Sequence, residues 1–111
     1  MRHTVLGTHN WPNAEKVFPD VGFLQHEHHH DFTIWVECDV KHKDRDIEFI
    51  MLRVEIMKII DKSFPGKYIK KFGSYSCEMI ADFIKESLEL QYGKRNFQVS
   101  IFEDNIQGAI I

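Results

Sequence analysis

The sequence predicts an α+β domain of order ββααββ, an antiparallel four-stranded sheet with two helices on one face. Three patterns predict it. Phe32, Ile34, Val36, Cys38 and Val40 alternate with Asp31, Thr33, Trp35, Glu37 and Asp39, as in a strand with one buried face. Two later stretches carry apolar residues at three- and four-residue spacing, the stripe of an amphipathic helix. Phe97, Val99 and Ile101 return to alternation.

Taken in order, residues 2–8 form a plausible first strand. Residues 10–25 hold Pro12, Pro19 and Gly22 and read as an irregular excursion. The second strand runs from Asp31 and ends at the polar turn Lys41–Asp46. Asp44 or Asp46 can cap the first helix, whose stripe is Ile47, Ile50, Met51, Val54, Met57 and Ile60. Lys62 to Gly73, with Pro65 and Gly66, breaks it. Ser74 or Ser76 can cap the second helix. Glu78 lies in its first turn, where the helix dipole favours a carboxylate. Its stripe is Met79, Ile80, Phe83, Ile84 and Leu88, and Gly93 can stop it. The third strand covers Phe97 to Ile101. Asn105 to Gly108 supplies turn residues before a short last strand at 109–111.

A chain of 111 residues suggests one domain, 1–111. Its 43% hydrophobic content suffices for a core. The formal charge is -3, with acids and bases interspersed and no basic stripe, which argues against binding nucleic acid through its phosphates. Apolar runs are too short for a membrane span. Met1–Gly7 has no apolar signal core, and Cys38 and Cys77 lack metal-ligand spacing, so a reduced, cytoplasmic protein is expected. An open four-stranded sheet has two free edges, and their pairing between copies is expected.

The run Gln25-His26-Glu27-His28-His29-His30-Asp31-Phe32 concentrates the chemistry. On a strand His26, His28 and His30 would share one face. Imidazole is a common ligand for zinc, and three protein ligands with an open position make a catalytic-type site. Two alternate histidines can chelate one ion if a third arrives from elsewhere, and His9 is the candidate. The set His26, His28, His30 is its rival.

These pieces resemble the 6-pyruvoyl-tetrahydropterin synthase and 6-carboxytetrahydropterin synthase family, which has the T-fold (tunnelling fold) and this ββααββ order. His9 at the end of the first strand and His28-His29-His30-Asp31-Phe32 opening the second resemble its metal motif. Ser76-Cys77-Glu78-Met79-Ile80-Ala81 resembles the opening of its second helix. Ser100-Ile101-Phe102-Glu103-Asp104-Asn105 resembles the segment whose glutamate anchors the pterin ring. The resemblance implies Zn2+ on His9, His28 and His30. It implies substrate binding by Glu103, and Glu78 can meet the ligand across a subunit interface. It further implies a carbon–oxygen lyase acting on a reduced pterin or purine-derived triphosphate, assembled as a trimer or hexamer.

Two parts of the family pattern are missing. Residues 10–27 contain no cysteine, and Ile60-Asp61-Lys62-Ser63-Phe64 contains no Asp-His pair. The proton-transfer base is therefore open among His26, Glu27, His29, Asp31 and His42. His26 is favoured, because His29 and Asp31 should face away from the metal. The same gaps support an alternative, a non-catalytic protein that binds or sequesters a purine-like nucleotide or pterin.

Overall fold

The computed structural model describes residues 1–111. Chain order is β1 (Arg2–His9), α1 (Ala14–Val17), a 3-10 segment (Pro19–Gln25), β2 (His28–Glu37), α2 (Phe49–Ser63), β3 (Lys70–Lys71), α3 (Cys77–Tyr92), β4 (Gln98–Glu103) and β5 (Gln107–Ile110). The α+β class holds, but the sheet has five strands, in the order β3-β1-β2-β4-β5, and is mixed. β3 is the strand the sequence concealed. It pairs parallel with β1 through Gly7 and Thr8. A two-residue strand has no alternation to read, and Gly66 and Gly73 on either side suggested only a loop.

β3 steers the chain towards the end of β1. The Phe72 amide donates to the Thr8 carbonyl at 2.8 Å, and the Asn10 amide donates to Gly73 at 2.8 Å. Phe72 thereby lies across Gly7, where a Cβ would sit 2.6 Å from its ring. Glycine is needed at residue 7 for this close approach.

One face of the sheet carries Phe32, Ile34, Val36, Val99 and Ile101 into the core. Leu52, Ile56 and Ile60 of α2 and Ile80, Ile84 and Leu88 of α3 pack there. Each such side chain contributes about 1.5–3 kcal/mol by leaving water. The α3 stripe is as expected apart from Met79, which is exposed. The α2 stripe is corrected: of the expected residues Ile60 is deeply buried and Ile47, just ahead of the helix, is buried too, while Ile50, Met51 and Met57 are exposed. Apolar residues occupy two arcs of this helix, so periodicity alone could not choose the arc that meets the sheet and α3.

The caps follow local hydrogen bonding. Glu48, rather than Asp44 or Asp46, caps α2 by accepting from the Met51 amide at 2.8 Å. Asp46 is engaged elsewhere, by the Arg95 guanidinium and the Lys41 amide. Ser76, not Ser74, caps α3 by accepting from Met79 at 3.2 Å. Gly93 ends that helix at φ 81°, a left-handed conformation that glycine tolerates. Residues 10–25, expected to be irregular, hold α1 and the 3-10 segment.

Candidate metal centre

The sheet register assembles this site before any side chain is considered. β1 and β2 run antiparallel with His9 opposite His28 and Gly7 opposite His30. Directly paired residues point to the same face, and residues two apart on one strand do too. His9, His28 and His30 therefore project together on the helix side, the face that Phe32 also shares. β4 pairs Glu103 with Phe32, which puts Glu103 on that face diagonally from His30. The rings touch edge to face, with His9 to His28 at 4.6 Å and His28 to His30 at 5.0 Å between centroids. Phe32 lies beneath, 5.1 Å from His9.

Each histidine is held from behind by an oxygen. His9 Nδ1 donates to the Tyr75 carbonyl at 2.9 Å. His28 Nδ1 donates to the His26 carbonyl at 2.8 Å. His30 Nδ1 donates to Asp104 Oδ2 at 2.7 Å. These oxygens only accept, so Nδ1 carries a proton in each ring and Nε2 is the nitrogen a metal would take, in His9 by displacing the Nε2 proton shared with Glu103. Such outer partners are what metal-binding histidines ordinarily have. The three ligand nitrogens lie within 4.8 Å of one another. Bonds of about 2 Å span at most about 4 Å across an ion, so a small closure of the side chains brings all three to one metal. The donor set thus fits a metal ion.

Glu103 faces the same point. Its Oε1 lies 3.2 Å from His9 Nε2 and its Oε2 3.4 Å from His30 Nε2. The Cys77 thiol donates to Oε1 at 3.4 Å. The hydrogen bond from His9 holds the Glu103 carboxyl below its ordinary pKa, against the opposing effect of burial. Burial pulls His9 down, yet its bonds to Glu103 and Tyr75 together outweigh that and leave its pKa raised. Cys77 is pushed up to about 12, first by burial and then by the Glu103 charge. A helix start ordinarily favours a thiolate, but here desolvation and the carboxylate override it.

A cleft of about 770 Å³ opens over the histidines. Trp11, Phe23, Leu24 and Tyr75 form apolar parts of its wall. Glu78, the other expected ligand contact, is exposed and lines the cleft at the first turn of α3.

His26 is placed differently from the expectation. β2 begins at His28, and His26 caps the preceding 3-10 segment, so the strand alternation does not reach it. Its ring is exposed and absent from the cleft lining, while its carbonyl orients His28. The rival set His26, His28, His30 is not formed. His29 is exposed, outside the cleft lining, and His42 lies beside Asp46 at 3.6 Å.

Sequence reasoning missed Asp104, the Tyr75 carbonyl and the Cys77 contact. Asp104 had a readable signal. Asp104 and Asn105 have φ of 55° and 57°, and the Ile106 amide donates to the Glu103 carbonyl at 3.0 Å. These are the two left-handed central positions of a β-turn within the three-residue connection from Glu103 to Gln107, and they suit Asp and Asn. It turns Asp104 back to His30 and the Asp31 amide. No protein-family model and no curated protein matches this chain.

Proposed function

We propose that this chain is a zinc-binding protein of the T-fold type that takes a reduced pterin or a purine-derived triphosphate in the cleft over His9, His28 and His30. The observation that carries this reading is the convergence of three histidine Nε2 atoms at the cleft, each ring held by an engaged Nδ1. Neutral imidazoles suit zinc among the biological metals. A cleft of about 770 Å³ lies within the usual range for small-molecule sites. Trp11, Phe23 and Tyr75 offer faces for a flat ring. Glu78 offers a carboxylate that matches two parallel N–H donors on the ring edge. Zinc held there would supply Lewis-acid polarisation of a ligand oxygen.

A second reading is a binder without turnover, and Cys77 favours it. This thiol lines the cleft, but it is buried and already donates to Glu103, so in the metal-free protein it holds a proton rather than accepting one. The test is zinc per chain by elemental analysis, together with binding and turnover of dihydroneopterin triphosphate by the zinc-loaded protein. Turnover supports the lyase reading. Stoichiometric zinc with binding but no turnover supports the second. A protein that takes neither zinc nor ligand overturns both.

Assembly into a trimer or hexamer belongs to the same proposal. Trp35, Ser100 and Ile110 are register partners across the sheet face away from the helices, and Leu6 shares that face. Leu6, Trp35 and Ile110 are exposed there, and closed assembly would cover them. Native mass spectrometry reads the state directly, and a monomer at micromolar concentration would remove this part.

A further inference from the structure

We infer that Glu103 is the fourth protein ligand of the metal, so that the resting centre is a closed three-histidine, one-carboxylate site. This rests on the metal reading of His9, His28 and His30, and it departs from the ring-anchoring role that the resemblance implied for Glu103.

The geometry is specific. A ring anchor must present both oxygens to the ligand. Here Oε1 and Oε2 are each directed at the one nitrogen that His9 and His30 keep for a metal, at 3.2 and 3.4 Å. In a tetrahedral shell with bonds of about 2 Å, neighbouring ligand atoms are roughly 3.3 Å apart. Glu103 therefore already stands at ligand-to-ligand distance from two members of the triad. Its side chain is 17% exposed. The register explains why: Glu103 pairs with Phe32 and projects onto the metal face, one diagonal step from His30.

The Cys77 thiol positions the carboxylate. Cys77 opens α3 and is buried, and its Sγ donates to Oε1 at 3.4 Å. Cys77 thus acts as a positioning residue. With four protein ligands, the open coordination position expected from three histidines is taken. A ligand oxygen would then have to displace a Glu103 oxygen, so the incoming group would compete with a carboxylate. An anionic or chelating oxygen group competes best, which favours ligands with paired oxygens over those with a lone hydroxyl.

The experiment uses Co2+ alone as the probe, in the full chain, with Glu103→Gln, Glu103→Asp and His28→Ala beside the wild type. The readouts are Co2+ visible absorption, Zn2+ affinity by chelator competition, and far-ultraviolet circular dichroism as a control for folding. The expected result is a strong four-coordinate spectrum in the wild type. It shifts in Glu103→Gln, with Zn2+ affinity falling by more than the roughly 10- to 100-fold that loss of an outer partner costs, and is partly restored in Glu103→Asp. Wild-type spectrum and affinity in a folded Glu103→Gln protein overturn the assignment of Glu103 alone. Failure of the wild type to take up either metal overturns the metal reading and this inference with it. Stoichiometric metal in His28→Ala overturns the triad.

Discussion

Asp104 grips His30 and the backbone beside it at once. His30 Nδ1 donates to Oδ2 at 2.7 Å, and the Asp31 amide donates to Oδ1 at 2.9 Å. One carboxylate thus fixes the ring orientation and ties the β4–β5 turn to the start of β2. Its own pKa is lowered, chiefly by the bond from His30. Substitution Asp104→Gly keeps a residue suited to φ 55° and removes only the carboxylate. Metal affinity should fall by about 10- to 100-fold, as for other outer partners of metal-binding histidines. Isothermal titration with Zn2+ reads this, and an unchanged affinity would mean that His30 needs no such support.

Gly7 faces His30 across the sheet and carries Phe72 on its bare Cα. An added methyl would lie 2.6 Å from the Phe72 ring and 3.0 Å from Phe32. Gly7→Ala should therefore destabilise the fold by about 1–3 kcal/mol through overpacking. Urea unfolding measures it. Because Phe72 is the obstacle, adding Phe72→Leu should recover part of the loss, and a purely additive double mutant would contradict the contact.

The His9–Glu103 pair should contribute most to the stability of the metal-free protein between about pH 4.5 and 6.5. His9 has a raised pKa, so its contribution is complete below its ordinary value of 6.5 and is lost as pH rises through the higher folded value. Glu103 has a lowered pKa, so its contribution is complete above its ordinary value of 4.5 and is lost as pH falls through the lower folded value. Both are present together only between the two. Thermal melts of chelator-treated protein across pH 4–9 check this. Zinc should reverse the trend on the alkaline side, because the metal competes with the His9 proton and binds better as pH rises.

Cys77 should resist alkylation in the native state. Its residue is 6% exposed and its pKa is near 12, so little thiolate is present or reachable at pH 7.5. Cys38 is only half-buried and should react first with iodoacetamide. Peptide mapping after timed labelling separates the two, and rapid native labelling of Cys77 would contradict its hydrogen bond to Glu103. In urea both should label.

Local pattern carried a definite part of this molecule. Alternation around Phe32–Val36 and Val99–Ile101, most of the α3 stripe, a serine cap at Ser74 or Ser76 and Gly93 as a stop all depend on neighbours in sequence, and they were legible there. The histidine run was legible too, because two residues two apart on a strand must share a face.

Tertiary structure decided what depends on partners distant in sequence. His9 joins His28 because β1 and β2 pair in one register, and a slip of one residue would have turned it to the other face. α2 buries Leu52, Ile56 and Ile60 rather than its other apolar arc because that arc meets the sheet and α3. β3 exists only through its bond to β1. Glu103 faces the histidines, and His26 does not, because β4 pairs at Phe32 while β2 begins at His28. Sequence periodicity sets which residues can share a face. The long-range hydrogen bonds of the sheet set which faces meet.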